Sequence, residues 1–77
     1  PFNPIVSFDV DLNQNSFIKA SVFNIKGQNI TNIFEGNMNK GYNTLIWDAA
    51  GYSSGVYFIN VESNGEIVSS QKVSLLK

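Results

Sequence analysis

The sequence predicts an all-β fold, an antiparallel sandwich of about six or seven short strands. Apolar and polar residues alternate in several runs, and no helical periodicity occurs in the chain. Turn-forming residues separate these runs about every 8–12 residues. The chain has 77 residues and no cysteine, so it has the length of one domain and no disulfide to support it. Its stability therefore depends on one small hydrophobic core.

The first two strands are predicted from clear alternation. In the first, polar residues separate four apolar residues, which are Val6, Phe8, Val10 and Leu12. Residues 13–15 form a polar turn, and the apolar positions of the second strand are Ile18, Ala20 and Val22. We expect these two strands to pair as a short hairpin.

The middle of the chain predicts two further strands. Residues 29–35 have irregularly spaced apolar residues and are assigned to a strand, and residues 36–41 are assigned to a loop. The next strand, residues 42–47, ends at Trp47, which we expect to anchor the core because an indole buries about 150–250 Å². Gly51 and Gly55 then allow positive φ on both sides of a tight reversal.

The last two strands follow that reversal. Residues 56–61 are almost all β-branched or aromatic, which predicts a central strand. Asn64-Gly65 is a strong signal for a type I′ hairpin turn, which needs positive φ at both central residues. Residues 67–76 are expected to return antiparallel as the final strand.

Composition removes several classes of function. The chain has no cysteine and no histidine, so thiol nucleophiles, the commonest zinc ligands and the commonest general base are absent. It has five lysines, no arginine and a net charge of −1, which disfavours nucleic-acid binding. No run approaches the roughly 20 apolar residues of a membrane-spanning helix, so no membrane insertion is expected. We expect no metal and no cofactor.

Three possible sites each have a simpler structural explanation. Asp9 and Asp11 share a strand face and could bind calcium, but a solvated face is the favoured explanation, because calcium takes about six to eight oxygens. A pair of carboxylates could act in acid–base chemistry, but no deep cleft is expected in so small a domain. Six aromatic residues could form a sugar-stacking platform, but core or edge packing is the favoured explanation. These residues are Phe2, Phe17, Phe23, Tyr42, Tyr52 and Tyr57.

Five short motifs follow one another along the whole chain. They are a Pro-Phe-Asn-Pro opening, Val-Phe-Asn-x-x-Gly-Gln, a glycine six residues before Trp-Asp, Ser-Ser-Gly-Val-Tyr-Phe, and a hydrophobic run between two lysines. The first four include the positions Pro1, Asn3, Pro4, Asn24, Gly27, Gln28, Gly41, Trp47, Asp48, Ser54, Gly55, Val56 and Tyr57. The fifth occupies residues 72–77.

In this order, the motifs resemble the type A C-terminal sorting domain of proteins exported by the type IX (Por) secretion system. That domain is similar in fold to the immunoglobulin-like domain of the flagellar hook-assembly protein. The resemblance implies an immunoglobulin-like antiparallel β-sandwich that is not an enzyme. Two departures are Leu12-Asn13, where many members have Leu-Pro, and Ala49-Ala50, where a glycine or small polar pair is more usual.

The resemblance also implies partners and a route. The partners are the translocon and sortase components of the type IX system and a cargo domain fused upstream. The route passes through the periplasm to the cell surface or the medium, with the domain cut off afterwards. We expect residues 1–77 to be a single C-terminal sorting domain from a longer protein, since Pro1 is not an initiator methionine. The alternatives are a structural assembly module, as in the hook-assembly relative, and a carbohydrate-binding accessory module.

The candidate sorting signal is the last strand and the residue after it. Alternation places Val73 and Leu75 on the inner face and Lys72, Ser74 and Leu76 on the outer face. The signal residues are predicted to be Lys72, Val73, Leu75, Leu76 and Lys77. Recognition is expected to combine strand addition at an exposed edge with lysine contacts. Alternatively, the lysines only protect an edge strand from aggregation.

Overall fold

A computed structural model describes residues 5–76 of the chain. These residues form six β-strands and no helix, and so contain no helix that could cross a membrane. The strands are β1 (Ile5–Leu12), β2 (Ser16–Asn24), β3 (Asn29–Met38), β4 (Gly41–Asp48), β5 (Gly55–Ser63) and β6 (Glu66–Leu75). The predicted all-β fold is confirmed. The opening motif, with Pro1, Asn3 and Pro4, and the terminal Lys77 lie outside the described residues.

The strands form two antiparallel sheets that pack as a sandwich. β1 and β4 make a two-stranded sheet, and the four-stranded sheet has the order β3-β2-β5-β6. In chain order, this arrangement matches strands B, C, C′, E, F and G of an immunoglobulin-like sandwich. The prediction that β5 is a central strand is confirmed, because it lies between β2 and β6.

The expected hairpin between the first two strands is wrong. β1 pairs with β4 along its full length, from Ile5 opposite Asp48 to Leu12 opposite Gly41. β2 pairs instead with β3 and β5. Residues 13–15 therefore carry the chain from one sheet to the other. The alternation in β1 shows which side faces the core, but it does not identify the strand that completes its hydrogen bonds.

The expected reversal between β4 and β5 is also wrong. These strands lie in different sheets, so the residues between them cross the sandwich. Gly51 does not have a positive φ, whereas Gly55 has a φ of 154°. Tyr52 is half-buried in this connection and packs on the core.

The predicted third strand is confirmed, but its end is misplaced. β3 continues to Met38, so residues 36–38, assigned to a loop from sequence, belong to the strand. The pairing of β2 with β3 contains two register shifts, after Ala20 and after Val22. These irregularities explain why the apolar residues of β3 fit no regular period.

The core lies between the two sheets and includes the predicted anchor. Trp47 is only 2% exposed, and Ile18, Val22 and Ile59 of the four-stranded sheet are fully buried. In β5, Tyr57, Ile59 and Val61 are buried, whereas Phe58 on the opposite face is exposed. Inner and outer residues therefore alternate along this strand.

Replacement of Trp47 should test the core directly. Trp47→Ala is expected to lower the free energy of unfolding by about 3–5 kcal/mol, because it leaves a large cavity. Ile46→Ala is the matched control, since Ile46 is on the same strand and 59% exposed; its loss should stay near 0.5 kcal/mol. Urea unfolding followed by circular dichroism measures both, and equal losses would contradict the assigned core.

The turn between β5 and β6 has the predicted conformation. Asn64 has a φ of 50° and Gly65 a φ of 91°. A Cβ atom added at Gly65 would have no atom within 4 Å, so any cost of substitution there comes from the backbone. Gly65→Val should destabilise the domain by about 1–2 kcal/mol, because β-branched residues disfavour positive φ. Gly65→Asn should cost less, and the order of their thermal unfolding midpoints checks this.

Candidate functional site

Antiparallel pairing brings most of the sequence motifs to one end of the sandwich. Asn24 pairs with Tyr57, and Gly55 pairs with Leu75. In the other sheet, Asp48 pairs with Ile5, which follows the opening motif directly. We call this region, formed by residues 24–28, 47–57 and 73–76, the motif end. Gly41 is the exception, because it pairs with Leu12 at the opposite end.

The second motif builds a closed loop between β2 and β3. The Asn24 side-chain oxygen accepts hydrogen bonds from the backbone N–H groups of Lys26 and Gln28, both at 3.0 Å. Its side-chain nitrogen donates to the side-chain oxygen of Gln28 at 2.7 Å. Gly27 has a φ of 83°, where glycine is strongly favoured. Asn24, Gly27 and Gln28 therefore fix the shape of this loop.

The third and fourth motifs meet in an aromatic cluster. The rings of Tyr52 and Tyr57 each lie 5.4 Å from the ring of Trp47, measured between centroids. The Tyr57 hydroxyl donates a hydrogen bond of 2.7 Å to the backbone oxygen of Ser53. The side chain of Asp48 accepts one of 3.1 Å from the backbone N–H of Ala50. These contacts tie the crossing between β4 and β5 to the core.

The cluster leaves one polar atom unsatisfied. Within residues 5–76, the buried indole nitrogen of Trp47 has no hydrogen-bond partner. An unpaired buried donor costs about 1–3 kcal/mol. The burial of the indole must offset this cost, which makes Trp47 a packing residue.

The C-terminal strand lies on the edge of the four-stranded sheet beside this cluster. The inner residue Leu75 is 6% exposed, whereas the next residue, Leu76, is 80% exposed. Val73 is half-buried, and Lys72 and Ser74 are exposed. The predicted inner and outer faces of β6 are therefore confirmed. β6 pairs with β5 on one side, and no strand within residues 5–76 pairs with its other side.

An apolar area lies on the outer face of the same sheet. Phe23 pairs with Phe58, and Phe58 pairs with Lys72, so the three residues form a row across β2, β5 and β6. Ile25 is 72% exposed in the adjoining loop. We call Phe23, Ile25 and Phe58 the outer patch. Sequence reasoning missed this patch, although an isoleucine inside a polar turn was an available signal.

An open groove of about 550 Å³ separates the β2–β3 loop from the chain between β4 and β5. Its apolar lining comes from Ile25, Ile30, Tyr52 and Val56. Ser54 and Gly55 also line it. The groove belongs to the motif end and is built largely by motif residues.

The chemical sites considered from sequence are not assembled. Asp9 accepts a hydrogen bond of 2.8 Å from the Thr44 hydroxyl across the β1–β4 pair. Residues 5–76 contain no group of three or more acidic, cysteine or histidine side chains arranged for a metal ion. The aromatic residues weighed as a sugar-stacking platform do not share one surface: Phe17 and Tyr42 are exposed on different sheets, and Tyr57 is buried, as the favoured packing explanation expects. Phe2 lies outside the described residues.

The fold and the motif end define a class, a small antiparallel β-sandwich domain whose motif residues are gathered at one end. One family model, described as the secretion system C-terminal sorting domain, matches residues 1–75, and the chain belongs to this family. No curated protein and no solved structure matches the chain significantly.

Membership of this family establishes the general role of the domain. It is a C-terminal sorting signal for type IX secretion, which directs an upstream cargo to the cell surface or the medium. That role implies interaction with the type IX machinery. The assembly-module and carbohydrate-binding alternatives are not favoured.

Replacement of Asn24 should loosen the loop of the motif end. Asn24→Ala removes the acceptor for two backbone N–H groups, so hydrogen exchange at Lys26 and Gln28 should accelerate about fivefold to tenfold, equivalent to about 1 kcal/mol. Asn24→Asp keeps the acceptor and loses only the donor to Gln28, so exchange at these two amides should stay slow. Amide exchange followed by NMR measures both variants. Unchanged exchange in Asn24→Ala would contradict the capping role.

Proposed function

We propose that the type IX translocon reads the open edge of β6 together with Lys72, Val73, Leu75, Leu76 and Lys77. An edge strand presents backbone N–H and C=O groups that can accept a strand from a receptor. The unpaired side of β6, at the end where the motifs gather, supports this mode of recognition.

The two faces of β6 have different roles: one positions the strand, and the other contacts the receptor. Val73 and Leu75 face the core and fix the position of the strand. Lys72 and Leu76 face outward and are available to the receptor. The next residue in the sequence, Lys77, carries a second positive charge. The exposure of Leu76, at 80%, is the observation that carries the proposal. An apolar side chain so exposed contributes little to folding, and it gains free energy when a partner covers it.

The other motif residues support this surface. The loop of Asn24, Gly27 and Gln28 holds Ile25 of the outer patch in place. A second group anchors the chain that crosses from β4 to β5, on the other side of the groove. Its members are Trp47, Asp48, Ser54, Gly55, Val56 and Tyr57. Gly41, with a φ of 106°, shapes a turn at the far end. Pro1, Asn3 and Pro4 form the lead-in from the cargo.

The wider role follows from membership of the sorting-domain family. Residues 1–77 constitute one sorting domain, attached behind a cargo domain in a longer protein. The cargo passes through the periplasm, the translocon carries it across the outer membrane, and sortase components then remove the domain. The domain performs no catalysis, uses no cofactor and does not insert into the membrane.

Two single substitutions of matched exposure test the signal. Leu76 is 80% exposed near the motif end, and Tyr42 is 81% exposed near the opposite end. Each domain is fused to a periplasm-targeted fluorescent protein in a type IX-competent bacterium, and surface fluorescence is measured. Leu76→Asp should lower surface delivery about tenfold, equivalent to about 1.4 kcal/mol of lost binding. Tyr42→Asp should leave delivery unchanged.

Controls separate recognition from folding. Circular dichroism of each purified domain must show the same β content and the same unfolding midpoint. Equal delivery by a folded Leu76→Asp variant, and by a chain lacking residues 72–77, would refute the C-terminal signal. If Lys72→Gln delivers normally but precipitates, that lysine only protects the edge, as the alternative explanation states.

A further inference from the structure

The two sheets of the sandwich differ in width. Neighbouring strands lie about 4.8 Å apart, so a two-stranded sheet covers only about half the width of a four-stranded one. Within residues 5–76, β1 pairs with β4 on one side and has no partner on the other. An immunoglobulin-like sandwich has a further strand, A, beside the strand that β1 matches.

The uncovered part of the wider sheet is at β6. Ser69 and Gln71 share the inner face with their partners Val61 and Ile59, which are 1% and 0% exposed. Ser69 and Gln71 are nevertheless exposed. At the opposite edge of the sheet, β3 is better covered, because Ile33 and Phe34 pack against the same hydrophobic cluster as Leu45 of β4. The missing cover is therefore on the β6 side.

The inner face of β1 is also incompletely covered, on the side of its open edge. We call the space between this edge and the inner face of β6 the gap. Val6 and Phe8 lie on its inner face but are only half-buried, whereas Val10 and Leu12 are buried. Val6 packs on the same cluster as Val73 and Leu75 of β6. A strand added to the open edge of β1 would lie over Gln71 and would complete the burial of these side chains.

We propose that an extended segment of the exported protein, directly upstream of this chain, pairs antiparallel with the open edge of β1 and covers the inner face of β6. The inference rests on the proposed function, because it requires an upstream cargo. A hairpin connection takes about two to five residues, and four residues precede Ile5. A segment of the same chain also has a high effective concentration. The exported protein would thus contribute a strand to its own sorting domain.

The chemistry of the gap limits the sequence of this segment. Its inward side chains meet Val73 near the motif end and Gln71 and Ser69 further along. Apolar residues fit the first position, and hydrogen-bonding or small residues fit the others. Its backbone satisfies the unpaired groups of β1. The cut that releases the cargo then decides which product keeps the strand.

Thiol labelling tests the proposal, because the chain has no native cysteine. Gln71→Cys places a thiol in the gap, and Ser74→Cys places one on the outer face of the same strand. Each is made in the 77-residue chain and in a longer chain that carries about 15 more residues of the parent protein upstream, enough for a strand and its turn. The upstream residues should slow labelling of Gln71→Cys at least about tenfold, equivalent to about 1.4 kcal/mol of pairing. Ser74→Cys should label equally in both chains.

Two further measurements identify the occupant. Proline at alternate upstream residues prevents pairing and should restore fast labelling. Equal labelling of Gln71→Cys in the short and long chains would overturn the proposal. Slower labelling of the short chain at higher concentration, with a dimer in sedimentation, would assign the gap to a second copy and also overturn it. These measurements use purified protein, so a failed export assay beside strong protection would count against the proposed function alone.

Discussion

The structure depends on the burial of one face of β5, the strand that lies between β2 and the edge strand β6. Tyr57, Ile59 and Val61 lie on that face and are almost fully buried. Their burial fixes the register of both neighbours, because a shift by one residue would turn the apolar set outward. That register places Asn24 opposite Tyr57 and Leu75 opposite Gly55. Motifs that are distant in sequence therefore meet at one end.

Most motif residues at this end make contacts within the domain and stabilise its fold. Asn24 closes a loop, Tyr57 donates a hydrogen bond to the backbone oxygen of Ser53, and Trp47 packs against two tyrosines. The residues that remain available to a partner are on the periphery, notably Ile25 and Leu76. Under the proposal made above, the export machinery would contact the surface that these motif residues hold in place, together with the edge of the last strand.

Open strand edges link the two proposals. A β-sandwich that does not close leaves unpaired backbone groups, which favour strand addition. The outer edge of β6 can accept a strand of the export machinery, and the open edge of β1 can accept a strand from the cargo side. The domain would then be complete only while it keeps the segment upstream of this chain.

The sequence by itself determined the all-β class, the faces of β1 and β6, the central position of β5, the burial of Trp47 and the turn at Asn64-Gly65. Each of these follows from local chemistry, either alternation along one strand or the φ that a residue tolerates. Only the tertiary structure decided that β1 pairs with β4, that residues 49–54 cross between sheets, and that β3 continues to Met38. These features depend on hydrogen bonds between residues far apart in the chain, and alternation carries no information about the partner. The outer patch was hidden for the same reason, because Phe23, Ile25 and Phe58 become neighbours only through the register of β2 and β5.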